Sequence, residues 1–324
     1  MSVLRFLKDW TLPVAMVVGA LGYLIYISIP ALEPTQPFMA KFVAVFQPAL
    51  ISLMLFITFC KVNPHDLRLC RWHIPLLLIQ GACFALPALF LSLFPNSVNT
   101  VLAESFMLCM ICPTATAAVV VTTKLGGKAA SITAYTVLIN LLNSLLVPAV
   151  VPLIHPSQEI PFGLSLALIL GKVFPLLFCP FLIAMLVRRF LPRLQEKVVR
   201  HADAAFYLWA VALSVAIAVT VKSIAHSREP LTVLIGIALV SLFCCALQFW
   251  FGHAFGKKNN DTVSAGQAMG QKNTIFAIWM GYTFLTPVTS IAGGFYSIWQ
   301  NAYNSYQLYL KRKRDLDDAQ QRKP

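Results

Sequence analysis

Two interrupted apolar runs decide the fold. Residues 264–274 read SAGQAMGQKNT, a polar and glycine-containing stretch between apolar segments, and residues 112–118 read CPTATAA within another apolar run. Pro113 removes a backbone donor and clashes with the preceding helical turn, so it breaks a helix. Unwound backbone inside a membrane persists only where protein or a watery cavity satisfies it. The two stretches therefore predict two broken membrane helices that meet, unless the first is a mere proline kink and the second a polar loop.

The composition places these stretches in a membrane protein. The chain has 324 residues, of which 58% are hydrophobic and 11% charged, with a mean hydropathy of +0.75. Soluble domains run near ~45–50% apolar and ~25% charged. Disordered, collagenous and disulfide-scaffold classes are thus excluded. A spanning helix needs about 20 apolar residues, and ten such segments are present: about 12–30, 42–60, 74–94, 101–123, 130–154, 162–187, 204–224, 230–252, 262–284 and 286–308.

The distribution of basic residues predicts the orientation. The formal net charge is +13, and 20 of the 25 Lys and Arg residues lie in the terminal segments and the even-numbered loops. Only Lys41, Lys222 and Arg228 fall in the opposite loops, while Lys172 and Lys272 fall within apolar segments. Cytoplasmic loops carry the excess of Lys and Arg. We therefore expect a multi-pass protein of the plasma or inner membrane with both termini cytoplasmic, in contact with lipid and not with nucleic acid.

The segment count predicts internal symmetry. The chain divides near residues 155–160, with five segments on each side. An odd number per half gives the halves opposite orientations, which is the arithmetic of an inverted repeat. We expect repeats at 1–155 and 156–310 and a basic cytoplasmic tail at 311–324. The interrupted segments are fourth in their halves, and such matching interruptions point to a transporter site.

The motifs around the breaks resemble those of the bile acid:sodium symporter family. The family's first motif is Cys-Pro-Gly-Gly-x-x-Ser-Asn, and here Cys112-Pro113 matches while Thr114-Ala115 and Ala118-Val119 replace the other positions. Its second motif, Glu-x-Gly-x-Gln-Asn, aligns with residues 268–273, where Gly270 and Asn273 match. Residues 294–301 are similar to a third motif, Gly-x-x-x-x-Trp-His-Asn.

The resemblance implies an all-α protein with ten transmembrane helices, divided into panel and core subdomains that interleave the two repeats. It also implies that broken helices four and nine cross at mid-membrane, within the core. It implies sodium behind the crossing and an organic anion in front, at the half-helix N-termini. That location is physically reasonable, because a helix N-terminus offers free N–H groups and the positive end of the helix dipole. The implied function is secondary transport of an organic anion, bile-acid-like or a small carboxylate, by alternating access.

The departures from the family pattern argue against sodium. Ala268 stands where the family has Glu, Ala118-Val119 replace Ser-Asn, and Lys272 replaces Gln. A lysine adds a positive charge that repels sodium. We therefore expect sodium-independent operation, by facilitated diffusion or by proton coupling through Lys272, and no cofactor or metal. Cys109-x-x-Cys112 has half of a zinc-knuckle spacing, but no second His or Cys pair answers it.

These considerations give a set of candidate residues. Substrate contacts are expected from Pro113, Thr114, Ala115, Thr116, Lys272, Asn273 and Asn301, and coupling from Lys272, Gln271, Ser131 and Lys172. Asn140 and Asn143 share one helix face and either line the crossing or bind neighbouring helices. Gln80 and Gln248 are expected to be helix-packing groups. Glu104 either pairs with a lysine or lines the rim of the site.

Two rival functions stay open. A membrane receptor or scaffold that kept the fold and lost ion coupling would bind ligand without accumulating it. A membrane enzyme finds no support, since no catalytic triad, His cluster or phosphate-binding loop is present in the sequence.

Overall fold

The computed structural model describes residues 11–63, 67–95, 97–156, 160–201 and 204–321. These residues form fourteen α-helices joined by short turns, with no β-strand among them. The helices are α1 Thr11–Ser28, α2 Gln36–Cys60, α3 His73–Leu93, α4 Thr100–Ile111, α5 Ala118–Lys124, α6 Ala129–Ile154, α7 Phe162–Leu177, α8 Cys179–Phe190, α9 Pro192–Arg200, α10 Ala204–Ala225, α11 Leu231–Lys257, α12 Thr262–Gly270, α13 Thr274–Phe284 and α14 Ser290–Gln321. Two 3-10 turns, Pro30–Thr35 and Pro287–Thr289, complete them.

Many of these helices are suited to a lipid bilayer. Within the described residues, five are long and apolar enough to cross it, and α7 with α8 makes a sixth if the bent pair is one span. The five are Pro30–Cys60, His73–Leu93, Ala129–Ile154, Tyr207–Ala225 and Leu231–Lys257. Shorter apolar helices lie at Pro13–Ser28, Thr100–Ile111 and Thr274–Phe284. The protein is therefore a polytopic α-helical membrane protein, as predicted.

Two predicted segments differ in detail from the helices that form there. Segment 162–187 is a pair of helices, α7 and α8, that meet at a bend of 43°, next to Pro175 and Pro180. Segment 286–308 contains a 3-10 turn and the first part of α14. Helix α14 then continues to Gln321, so most of the predicted basic tail is helical, with Lys311 Nζ 2.6 Å from Asp315 Oδ1.

Buried side chains form two clusters that meet at α4. The first joins α1, α2, α7, α8 and α10 to parts of α3, α4, α6 and α13. The second joins α3, α6, α11, α12 and α14. Met107 and Leu108 of α4 belong to the first cluster, whereas Cys109 and Met110 belong to the second. Because successive helical residues point in different directions, α4 is held from two sides and its end is fixed in space.

Glycines allow α11 and α12 to pack closely. A Cβ atom added at Gly252 would lie 2.4 Å from the carbonyl oxygen of Ala265, and one added at Gly270 would lie 2.4 Å from the ring of Phe249. Both positions therefore exclude any side chain. Small residues bring helix backbones together in the same way in other membrane proteins. The close contact fixes α12 and its last residue, Gly270, against α11.

The buried carboxylate of Glu104 forms an ion pair within the first half of the chain and accepts hydrogen bonds from the second half. Glu104 of α4 is fully buried, and its carboxylate lies 2.8 Å from Nε2 of His155, the residue after α6. It also accepts hydrogen bonds from Thr286 N at 2.9 Å, Thr286 Oγ1 at 3.2 Å and Thr289 Oγ1 at 2.9 Å. Glu104 thus pairs with a histidine and not with a lysine. It ties α4 to the turn that follows α13.

This ion pair predicts a pH-dependent stability. The hydrogen bond to Glu104 raises the pKa of His155 above its ordinary value. A raised folded-state pKa means that the stabilisation is fully present below the unfolded pKa, about 6.5, and is lost as pH rises through the folded pKa. We expect His155→Gln to lower the unfolding temperature by a few degrees at about pH 5.5 and by much less at about pH 9. Thermal unfolding of the purified protein in detergent measures both values.

His201→Gln is the matched control, since His201 is exposed and its ring hydrogen-bonds with the carbonyl of Lys197 within its own turn. Its unfolding temperature should follow that of the wild type at both pH values. Equal losses for His155→Gln at low and high pH would contradict the assignment.

Candidate functional site

The two interruptions touch each other through their backbones. Residues 112–117 separate α4 from α5, and residues 271–273 separate α12 from α13; together we call them the crossover. Ala115 N donates to Gln271 O at 2.8 Å, and Asn273 N donates to Pro113 O at 2.8 Å. These bonds form an isolated antiparallel bridge between Thr114 and Lys272. The predicted contact between the two breaks is present, and four half-helices end at it.

The residues on either side of the bridge adopt the conformations that their sequence requires. Cys112 precedes Pro113 and has ψ 133°, because proline disfavours the helical region for the residue before it. Asn273 begins α13, and its side chain accepts from Phe276 N at 3.2 Å as an N-cap. The thiol of Cys112 donates to Asn273 O at 2.9 Å. The chain therefore leaves α4 and enters α13 through side-chain contacts that span both breaks.

Side-chain amides from three other helices satisfy the carbonyl groups at the end of α4. A helix leaves its last four carbonyls without intrahelical partners. Gln248 of α11 donates to Cys109 O at 3.1 Å, and Asn143 of α6 donates to Ile111 O at 2.7 Å. Gln80 of α3 donates to Met110 O at 2.8 Å and reaches Cys112 O at 3.5 Å. The three amides are fully buried, and each holds the same helix end from a different direction.

The end of α12 is satisfied in the same manner. Thr114 Oγ1 donates to Ala268 O at 2.7 Å, and Tyr296 of α14 donates to Gly270 O at 2.9 Å. Gln300, one turn further along α14, binds both backbone groups of Lys272. Its Oε1 accepts from Lys272 N at 2.7 Å, and its Nε2 donates to Lys272 O at 3.1 Å. Protein donors therefore occupy the carbonyls at both half-helix ends.

The side chain of Lys272 is enclosed in this region. It is only 1% exposed, and its Nζ has no hydrogen-bond partner among the described residues. The titratable groups that interact with it electrostatically are thiols and not carboxylates: Cys109, Cys112, Cys244 and Cys245. The ion pairs of the described residues, His155–Glu104 and Lys311–Asp315, do not include it. Lys272 therefore places an amine at the crossover with no carboxylate partner among the described residues.

Several amide oxygens near the crossover also lack partners within the described structure. They are Gln271 Oε1, Gln248 Oε1, Asn143 Oδ1 and Asn140 Oδ1. Gln271 belongs to the crossover, and Gln248 and Asn143 touch the end of α4 through their NH₂ groups. Buried polar atoms in native proteins normally have a partner, so unsatisfied ones mark a place where a further group can bind.

The structure groups most of the predicted site residues and separates others. Pro113 and Thr114 are buried in the crossover, and Ala115 and Thr116 are half-buried beside them. Ser131 lies elsewhere: its hydroxyl donates to Asp261 Oδ2 at 2.7 Å, at the opposite end of α12. Lys172 is exposed on α7, with its Nζ 5.9 Å from the ring centroid of Phe284.

Asn301 does not contact the crossover through a described hydrogen bond, because its amide donates to Ser297 O at 2.6 Å within its own helix. Its neighbour Gln300 makes the contact. One residue corresponds to about 100° of helix rotation, and the sequence motif alone does not show which of two adjacent amides faces inward. The described residues also contain no group of three or more His, Cys, Asp or Glu side chains arranged to hold a metal ion.

Comparison with known proteins agrees with this geometry. A search of curated proteins found no match. A sequence model of the SBF-like CPA transporter family matches residues 37–295, which is more than half of the chain and includes both breaks. The resemblance to bile acid:sodium symporters seen in the motifs is therefore confirmed at the level of the family. This chain belongs to the SBF-like CPA transporter family, a family of membrane transporters.

Proposed function

We propose that the protein is a secondary transporter of an organic anion, bile-acid-like or a small carboxylate, that works by alternating access and without sodium. The proposal includes ten spans in two inverted repeats, 1–155 and 156–310, with both termini cytoplasmic. The observation that carries it is the buried amine of Lys272 at the point where the two broken helices touch. An ionisable residue inside a membrane protein marks a substrate or ion pathway by default.

The chemistry at the crossover favours an anionic substrate. Lys272 lies two residues before the first residue of α13, whose N-terminal N–H groups form the positive end of a helix dipole. A half-helix N-terminus that points at an anionic group is a recurring element of transporter sites. The proposed substrate contacts are Pro113, Thr114, Ala115, Thr116, Lys272 and Asn273, with Gln300 positioning Lys272. Asn301 lies outside this set because it bonds within α14.

The contacts at the half-helix ends support operation without sodium. Sodium sites in broken-helix transporters use unwound carbonyls and half-helix C-terminal ends. Here Gln80, Asn143 and Gln248 donate to those carbonyls at α4, and Thr114 and Tyr296 do so at α12. A sodium ion would have to displace these donors and approach an ammonium group, which repels it. These contacts and the amine of Lys272 therefore disfavour a sodium ion at the half-helix ends.

Transport then proceeds by facilitated diffusion or by proton exchange on Lys272. In the second case the amine releases a proton to one side and takes one up from the other during each cycle. Gln271 lies beside Lys272 and remains a proposed coupling residue. Ser131 and Lys172 are weaker candidates, since they contact Asp261 and Phe284 at a distance from the crossover.

The first test removes the ammonium of Lys272. Lys272→Met removes the amine and keeps an unbranched side chain of similar length. It should weaken binding of a bile acid or a small carboxylate at least tenfold, about 1.4 kcal/mol. The unfolding temperature should stay the same or rise, because a buried charge without a partner is costly to the fold. Equilibrium binding and thermal unfolding of the purified protein measure both effects.

Lys61→Met is the matched control. Lys61 follows α2 at an exposed position, so the same chemical change there should leave both binding and stability close to the wild type. A folded Lys272→Met protein with unchanged affinity would remove Lys272 from the site.

The second test concerns coupling. We expect uptake of the anion into proteoliposomes to persist when choline replaces sodium, and uptake at several pH values separates facilitated diffusion from proton coupling. Loss of most uptake without sodium would contradict the residue-level argument. Binding without any accumulation would favour the receptor or scaffold function over transport.

A further inference from the structure

A cluster of basic side chains lines a cavity that is separate from the crossover. The cavity has a volume of about 290 Å³ and lies where the end of α10 meets the end of α13. Its walls come from the last turn of α10, the loop that follows it, and the turn after α13. Tyr282 in its wall is eight residues after the start of α13, a distance of about 12 Å along the helix. The cavity is therefore separate from the crossover.

The charges of this cavity are unbalanced. Lys222, His226 and Arg228 line it, against a single carboxylate, Glu229. None of these four side chains takes part in an ion pair within the described residues. Lys222 and Arg228 are also two of the three basic residues in the loops that the charge distribution assigns to the outer side. The third is Lys41, on α2 and outside the cavity. The few cations of that side are thus concentrated at one place.

Neighbouring side chains hold Lys222 and His226 in defined positions. Lys222 Nζ lies 5.5 Å from the ring centroid of Tyr282, a cation–π contact. The Nδ1 atom of His226 lies 3.0 Å from Lys222 O and 3.4 Å from the hydroxyl of Tyr23, which orients the ring. Ser223 Oγ and Ser290 Oγ are 2.9 Å apart. Tyr23 of α1 and Ser290 of α14 therefore support lining residues of α10 and of the loop after it, although they do not line the cavity themselves.

The cavity also connects with the ion pair of Glu104. Thr286 lines the cavity, and both its backbone N–H and its hydroxyl donate to the Glu104 carboxylate. That carboxylate pairs with His155, and its charge is compensated while the imidazole is protonated. The positive potential of Lys222 and Arg228 remains for a ligand.

We propose that this cavity is a binding site for the anionic group of a small carboxylate, sulfonate or phosphate ester, distinct from the crossover. Lys222 and Arg228 supply charge-assisted hydrogen bonds, which are stronger than neutral ones. The tyrosine face accommodates an apolar body next to the charge. A free anion and a phospholipid headgroup present the same chemistry to such a site. The proposal concerns binding and does not depend on transport.

The test measures binding of benzenesulfonate to the purified protein in a neutral detergent by titration calorimetry. The neutral analogue benzenesulfonamide controls for apolar binding and should not bind measurably. The double variant Lys222→Gln/Arg228→Gln should weaken benzenesulfonate binding to the cavity at least tenfold. Lys41→Gln, which removes a charge from the same side of the protein but outside the cavity, should keep the wild-type affinity.

Further arms separate this site from the crossover and identify the source of the anion. Lys272→Met should keep the cavity binding, so failure of the proposed transport site leaves this result unchanged. In lipid nanodiscs, added phosphatidylglycerol should weaken the binding of benzenesulfonate if a lipid headgroup occupies the cavity. The affinity for benzenesulfonate should stay unchanged if the site takes free anions. The single variant Arg228→Gln provides the measurement if the double variant does not fold. Absence of binding to the wild type, or equal affinity of the double variant and Lys41→Gln, would overturn the proposal.

Discussion

Each backbone group that is freed where a membrane helix breaks must find a partner within the protein, because hydrocarbon offers none. In this protein that constraint is met by side chains from almost every helix around the crossover. Gln80, Asn143 and Gln248 hold the end of α4, while Tyr296 and Gln300 hold the end of α12 and Lys272. The two breaks then satisfy each other through a short backbone bridge. The remaining architecture brings these donors to one place.

The same arrangement explains why a lysine is compatible with the crossover. With the carbonyls already bound by amides and hydroxyls, no bound cation is needed to satisfy them. Lys272 supplies a positive charge that stays attached to the chain, whereas a sodium ion binds and leaves with its own gradient. We infer that the anion moves down its own gradient or with protons. A buried charge without a carboxylate partner is costly to stability, which favours a functional reason for its presence.

The two helix breaks and their contact could be predicted from the sequence, because each break depends on a few adjacent residues. Pro113 and the glycine-rich stretch before Lys272 break helices through backbone chemistry, so the breaks and their contact follow from a few adjacent residues. The partners of the freed carbonyls do not. Gln80 and Gln248 have the sequence signature of ordinary packing amides, and only the tertiary arrangement brings them to the end of α4. Of the two readings open for Asn143, its contact with Ile111 O supports a place at the crossover.

Other contacts also depend on the tertiary structure and could not be predicted from neighbouring residues. Glu104 and His155 are separated in sequence by the break at residues 112–117, by α5 and by all of α6, about seven turns, so no short pattern links them. Gln300 and Asn301 are adjacent amides of equal chemistry, and their roles differ only because α14 faces the crossover with one of them. The bend between α7 and α8 is marked by prolines, yet the apolar run there continues through it and reads as one span.

The most direct test of the central claim is the thermal unfolding of the wild-type protein in sodium chloride against choline chloride at equal ionic strength. A ligand that binds the folded state stabilises it in proportion to the logarithm of its concentration, by about 2.7 kcal/mol at 100 times its dissociation constant. If amides and Lys272 satisfy the crossover without an ion, the unfolding temperature will be the same in both salts across the titration. A rise that grows with sodium, and that disappears in Asn143→Leu, would show that an ion binds at the crossover and would contradict the account.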